Sequence, residues 1–159
     1  MGLDMHLYAE KYISAWNHQE ESAKKAFHSI VEATGLSLAD LPQGHGPSGY
    51  ITFEVAYWRK ANAIHKWFVV NVQDGKDDCE PYHVSRGQLK ELVDLCKLIK
   101  AEPHTAAEKL PTQSGFFFGG TGYGEDYIAD LDSTIIQIEA ILTNPKFTDD
   151  WGFQYQSSW

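Results

Sequence analysis

The chain predicts an α+β fold in a single globular domain, residues 1–159, with a small, mostly antiparallel sheet covered by about four helices. Apolar and polar residues alternate over Leu3–Leu7 and again over Trp151–Tyr155, as in strands that bury one face. Between these strands, apolar residues recur at the spacing of helices. A chain of 159 residues is long enough to bury one core without disulfide or metal staples.

The first half of the chain predicts one strand, one helix and a loop. Apolar residues repeat at helical spacing from Ala23 to Thr34, and Gly35 predicts the end of that helix. Residues 42–49 form a loop by composition. The stretch 50–55 alternates like a short strand or already belongs to the next helix, and the sequence leaves this boundary open.

Three further helices and one more strand are predicted downstream. One helix covers 54–68, and Ser85 with Gln88 forms a capping-box pattern ahead of another, which stops before Pro103. The run Gly115–Gly119 predicts a short buried strand that joins the sheet. A glycine loop follows, and then a helix that Pro145 ends.

The helix predicted over 54–68 interleaves cations with aromatic residues. Arg59, Asn62 and Lys66 fall at i, i+3 and i+7, so their polar groups share one side of a helix, and Trp58 and His65 lie on the adjoining stripe. This pattern suits a ligand with flat rings and negative charge. The alternative is that the aromatic residues are core and the cations shield its solvent edge.

The loop Gly119–Gly124 has a predicted strand before it and a helix after it, a context in which backbone amides can bind anions. Glu125 and Asp126 at the helix start repel a phosphate from that position. We expect a pocket rim here, with Tyr123 or Tyr127 closing over a ring, or else a structural turn. The candidate ligand-binding residues are Tyr57, Trp58, Arg59, Asn62, His65, Lys66, Phe116, Phe118, Gly119 and Tyr123.

Composition and motifs argue against several other functions. The net charge of -9 and the lack of a Lys or Arg run exclude a footprint for duplex DNA or RNA. No apolar run is long enough to cross a membrane, and the N-terminus lacks a signal peptide, so we expect a cytoplasmic protein. Cys79 and His83 lack a second ligand pair, and no catalytic motif appears, so we predict no metal, cofactor or catalytic residue. Gly44–Gly49 matches the letters of a dinucleotide fingerprint, but no strand precedes it.

Four blocks, residues 1–8, 54–68, 84–92 and 112–119, together resemble a family of small proteins of tailed bacteriophages and prophages. The resemblance supplies no catalytic motif. In size, acidic charge and its mixture of aromatic and cationic residues, the chain is also similar in type to phage proteins that sequester nucleotide-derived immune signals, such as cyclic ADP-ribose isomers or cyclic dinucleotides. This similarity implies a small anionic, nucleotide-like ligand, which the protein binds without cleavage in the cytoplasm of the infected host.

Three classes of function stay open at this point. A binding protein uses the candidate residues around a nucleotide-like ligand. An enzyme that cleaves such a signal needs His65 or Glu54 as a positioned acid or base. An inhibitor of a host protein uses the aromatic residues of 151–159 as a contact patch. An aromatic content of 13% also predicts a homo-oligomer.

Overall fold

A computed structural model describes residues 2–16, 18–42, 44 and 46–159, and its fold is of the predicted α+β class. Four strands form an antiparallel sheet in the order β2-β1-β4-β3. They are β1 (Asp4–Ser14), β2 (Ser48–Arg59), β3 (Tyr82–His83) and β4 (Trp151–Ser158). The α-helices are α1 (Glu21–Ala33), α2 (Asn62–Asn71), α3 (Arg86–Ala101), α4 (Ala106–Lys109) and α5 (Glu125–Leu142). Within these described ranges no helix has the length and apolar character needed to cross a bilayer.

Contacts group the chain into two compact units. Phe53–Trp159 and the chain up to Ala9 form the larger unit, and Glu10–Thr52 forms the smaller one. In the smaller unit, α1 ends where the sequence predicts, because Gly35 adopts a φ of 81° that suits glycine. Of the loop predicted over 42–49, Gln43 and His45 lie outside the described residues.

The core of the larger unit lies between one face of the sheet and helices α2, α3 and α5. The buried strand residues Met5 and Leu7 of β1 and Phe153 and Tyr155 of β4 follow the predicted alternation. Phe68 of α2 stacks on Tyr155, with ring centroids 3.9 Å apart. These contacts fix α2 on the sheet.

The helix ends predicted from local signals are confirmed. The Ser85 backbone N–H donates to Gln88 Oε1 at 2.9 Å, and the Gln88 backbone N–H donates to Ser85 Oγ at 3.1 Å. This capping box satisfies two amides that have no partner within helix α3. Helices α3 and α5 both end ahead of the prolines at 103 and 145.

The prediction of one helix over 54–68 is wrong in its first part. Tyr57, Trp58 and Arg59 belong to strand β2, where Trp58 is buried and its two neighbours are exposed. Lys60 then adopts a φ of 61°, which breaks the strand, and α2 begins at Asn62. The strand that the sequence left open at 50–55 therefore continues as far as Arg59.

The strand predicted over Gly115–Gly119 is also wrong. The Phe118 backbone N–H donates to Gly115 O at 3.3 Å, so these residues form a turn. Phe116, at the tip, is 88% exposed, whereas Phe118 is buried. Beside the predicted strands β1 and β4, the sheet contains β2 and the short β3.

Candidate functional site

The corner between β2 and α2 is the first structural component of the candidate site. Lys60 sits at this corner in the left-handed region, which an L-residue rarely occupies outside turns and functional sites. Its backbone N–H donates to Leu3 O at 2.8 Å, and its own carbonyl accepts from the Asn62 N–H at 2.8 Å. The sharp turn places Arg59, Lys60 and Asn62 close together although they belong to three different local conformations.

The side chain of Asn62 joins this corner to the distant segment 113–120. Its Nδ2 donates to Phe118 O at 3.0 Å and to Gly120 O at 2.8 Å, and its Oδ1 accepts from the Gln113 N–H at 2.9 Å. Asn62 is only 4% exposed, so these three bonds form with little competition from water. Asn62 therefore holds the start of the glycine loop against the β2–α2 corner.

The backbone of Gly119 lies close to that corner. It has a φ of 90°, and a Cβ built on it would lie 3.1 Å from both Cβ and O of Lys60. A side chain at this position therefore meets both conformational strain and a steric clash. The glycine is required here by close packing.

A cleft of about 590 Å³ opens between the corner and the start of α5. Arg59 and Lys60 lie on one side, which we call the basic wall. Glu125, Asp126 and Asp130 of α5 lie on the other, which we call the acidic wall. The remaining lining residues are Asn62, Ala63, Thr112, Gly119, Gly120, Gly122, Gly124, Tyr127 and Ala129.

The two walls carry opposite charges but do not pair with each other. Lys60 and the three carboxylates of the acidic wall form no ion pair or side-chain hydrogen bond with any described residue. Arg59 has its Nε 3.9 Å from Asp4 Oδ1, at the edge of ion-pair distance, and its side chain is 60% exposed. Both walls therefore keep their hydrogen-bonding capacity for another molecule.

The carboxyl of Asp130, which lines the cleft, has a raised pKa. Burial is the larger cause and the charge of Asp126, one helical turn earlier, is the smaller one, and together they raise the pKa of this carboxyl to about 6. Glu125 and Asp126 lie in the first turn of α5, where the helix dipole stabilises negative charge. Asp130 lies beyond that turn and has no comparable stabilisation.

Three of the ten predicted binding residues line the cleft, namely Arg59, Asn62 and Gly119. Tyr123 lies next to it, because its hydroxyl accepts from the Thr112 backbone N–H at 3.3 Å and its ring packs edge-on against Tyr127. The sequence therefore identified the corner and the glycine loop as parts of one region.

Trp58, His65 and Phe118 are buried beneath the cleft. Trp58 is 3% exposed, and its Nε1 donates to Thr134 Oγ1 at 2.9 Å. His65 is fully buried, with its ring edge-on to Phe118. These rings have no free face for a ligand, so this part of the segment follows the alternative interpretation, in which the aromatic residues are core.

His65 belongs to a buried hydrogen-bonded chain. Its Nδ1 lies 2.8 Å from the Tyr155 hydroxyl and its Nε2 lies 3.0 Å from Asp77 Oδ2. Trp159 Nε1 donates to the other oxygen of Asp77 at 3.0 Å. Burial raises the pKa of Tyr155 well above its usual value, so the hydroxyl stays protonated. This chain ties β4 to α2 and leaves His65 no route to a ligand.

Tyr57, Lys66 and Phe116 lie outside the cleft lining. The Tyr57 hydroxyl bonds to Asp4, which raises the pKa of the phenol, and its backbone N–H and C=O both pair with the Gln137 amide. Lys66 is half-buried on α2.

Sequence reasoning missed Lys60 and Asp130 as members of the site. The sequence predicts Lys60 within a helix, because a lysine in the left-handed region leaves no signal in the sequence. Asp130 had a weak signal, because Asp126 and Asp130 at i and i+4 place two like charges on one face of a helix. Such a pair is destabilising by only about 0.2 to 0.5 kcal/mol, so the signal is weak.

No group of three histidine, cysteine or acidic side chains with metal-binding geometry occurs among the described residues. Comparison of the chain with protein-family models, with curated proteins and with solved structures finds no match.

Proposed function

We propose that this protein binds a small nucleotide-derived ligand in the cleft between the basic and acidic walls and releases it unchanged. A phosphate group faces Arg59 and Lys60, and hydrogen-bond donors of the ligand face the acidic wall. Glycines of the loop after Phe118 also line the cleft.

One observation supports this proposal above the others: two cations and three carboxylates line a single cleft, and no ion pair between described residues crosses it. The charged groups of both walls are therefore available to a ligand that enters the cleft. A volume of about 590 Å³ lies in the range of small-molecule sites. A ligand that carries both an anion and several donors matches both walls, and a nucleotide has these groups.

Binding without cleavage fits the position of the groups considered for catalysis. His65, one of the two residues considered as an acid or base, is fully buried and hydrogen-bonded on both ring nitrogens. Glu54 lies outside the cleft lining and bonds to His6 Nδ1 at 2.7 Å. The lining itself is suited to recognising charge and hydroxyl groups.

We further propose, from the resemblance of the sequence blocks to phage proteins, that the bound compound is a nucleotide immune signal of the bacterial host. A protein that holds such a signal lowers its free concentration and prevents activation of its receptor. To sequester a signal, the protein needs only to bind it tightly and to be abundant. A site that recognises the charges of the ligand is sufficient for this.

The test is a thermal-shift screen against ADP-ribose derivatives and cyclic dinucleotides. A ligand at 100 times its Kd stabilises the folded state by about 2.7 kcal/mol, which raises the Tm of a chain this long by roughly 5 to 11 °C. Arg59→Gln should weaken binding at least about tenfold, because it removes one charge-assisted contact. Lys146→Gln removes a cation that does not line the cleft and should leave affinity unchanged. No shift with any nucleotide contradicts the proposal.

Recovery of the ligand tests the absence of cleavage. The complex is denatured by heat and the released compound is analysed by chromatography, with free ligand heated in parallel. We expect the intact compound. One observation favours the enzyme alternative, because a carboxyl with a pKa of about 6 in a cleft is a candidate acid or base. A cleaved product that Asp130→Asn abolishes would establish that alternative.

A further inference from the structure

The unmet hydrogen-bonding requirement of Asp130 narrows the class of ligand. Its half-buried carboxylate lines the cleft, and no described residue donates a hydrogen bond to it or forms an ion pair with it. Partial burial of an ionised carboxylate without donors is unfavourable. Asp126 lies one turn earlier on the same face of α5, so the two carboxylates present acceptor oxygens side by side.

The matching ligand group is a pair of adjacent donors. The two hydroxyls of a ribose 2′,3′-diol can both donate to one carboxylate, as they do in dinucleotide-binding proteins. The diol is uncharged, so it meets the acidic wall without the need for a counter-charge. The phosphate of the same nucleotide lies some bonds away and can face the basic wall.

We propose that Asp130 is a specificity-determining residue that accepts hydrogen bonds from a free vicinal ribose diol, so that the ligand class is a nucleotide of the ADP-ribose type. This inference rests on the proposed function and deepens it. A cyclic dinucleotide has one ribose oxygen of each pair in a phosphodiester bond. It therefore offers a single hydroxyl per ribose and brings a negative charge close to the acidic wall, which repels it.

The protonation of Asp130 makes this binding dependent on pH. The charged or titratable groups of the cleft are Arg59 and Lys60 of the basic wall, and Glu125, Asp126 and Tyr127 beside Asp130 on α5. Donation from a diol favours the ionised carboxylate, so the bound ligand lowers the pKa of Asp130 below its free value of about 6. Affinity is therefore complete above pH 6 and falls as the pH drops below it, by up to about tenfold per unit.

Isothermal titration calorimetry with ADP-ribose and cyclic di-AMP tests the inference. ADP-ribose holds its phosphates in a pyrophosphate and cyclic di-AMP in phosphodiesters, so each phosphorus has a single, strongly acidic hydroxyl. The phosphates of both compounds stay ionised over the range from about pH 5 to 7.5, so the ligands themselves do not titrate. Wild type should bind ADP-ribose at least about tenfold more tightly than cyclic di-AMP at neutral pH, and should lose up to about tenfold of that affinity at pH 5. Asp130→Asn should remove most of the preference and most of the pH dependence.

Asp149→Asn is the matched control, because it removes an exposed carboxylate that does not line the cleft. It should keep both the preference and the pH dependence. Equal or tighter binding of cyclic di-AMP, or an unchanged preference in Asp130→Asn, overturns the inference and leaves the proposed function standing. If neither ligand binds to wild type, both the inference about Asp130 and the proposed function are overturned. Asp130→Asn should fold with an unchanged or raised Tm, since it removes an unpaired charge.

Discussion

The side chain of Asn62 should contribute more to the free energy of unfolding than a polar side chain that makes a single hydrogen bond. It is the first residue of α2 and makes three hydrogen bonds, to Phe118 O, to Gly120 O and from the Gln113 N–H, at 2.8 to 3.0 Å. Asn62→Ala removes all three. Asn62→Asp keeps the acceptor for Gln113 but places a carboxylate oxygen against two carbonyl oxygens.

The expected loss follows from the number of bonds. Each contributes about 1 kcal/mol net, so Asn62→Ala should lower the free energy of unfolding by about 3 kcal/mol. The buried carbonyl of Phe118 loses its side-chain donor, which adds to the cost, whereas the exposed Gly120 carbonyl can bond to water. In a chain of 159 residues this corresponds to a fall in Tm of roughly 6 to 12 °C.

Urea unfolding followed by far-ultraviolet circular dichroism measures this loss. Asn71→Ala is the matched control, because Asn71 donates a single bond to Trp67 O at 2.8 Å on the same helix. It should cost about 1 kcal/mol or less. If Asn62→Ala costs no more than Asn71→Ala, the claim that Asn62 holds the glycine loop to the corner is refuted.

Two further substitutions test the packing around the site. Gly119→Ala should cost about 1 to 3 kcal/mol, since its φ is 90° and the added Cβ meets Lys60, whereas Gly120→Ala, which has open space around it, should change stability by less than about 0.5 kcal/mol. Equal costs in urea unfolding would contradict the close approach. Trp58→Phe should lower stability by about 1 to 3 kcal/mol through the lost bond to Thr134 and leave ligand affinity unchanged, and a fall in affinity at constant stability would restore Trp58 as a stacking surface.

The elements that local signals define could be predicted from the sequence. The alternation of Leu3–Leu7 identified β1, and the Ser85 capping box identified the start of α3, because both patterns depend on residues a few positions apart. The three phenylalanines at 116–118 misled the prediction, since apolar character alone does not distinguish a buried strand from a turn with an exposed tip.

Helical spacing predicts Arg59 and Asn62 at one site, and the structure brings them together in a different way. The sequence put them three residues apart on a helix, but Arg59 ends β2 and Asn62 begins α2. The turn at Lys60 brings them together, and its left-handed conformation depends on tertiary packing. Local periodicity therefore predicts correctly that Arg59 and Asn62 lie near each other, but it predicts a continuous helix where the chain turns from a strand into a helix.

The placement of the acidic wall opposite the basic wall could not be predicted from one sequence. Asp130 follows Lys60 by a long stretch of chain, and α5 is placed opposite the basic wall by tertiary contacts such as the bond from Trp58 to Thr134 of α5. No local pattern encodes contacts of that sequence separation. The placement of α5 depends on the tertiary fold.

The measurement that tests the binding site most directly is a titration of the ¹⁵N-labelled protein with ADP-ribose, followed by amide chemical shifts. The glycine amides of the cleft, at Gly119, Gly120, Gly122 and Gly124, report on its lining. We predict that they shift together and saturate with one ligand per chain, and that Gly75, which does not line the cleft, does not shift. Shifts confined to residues outside the cleft, or no shift at all, would contradict the account.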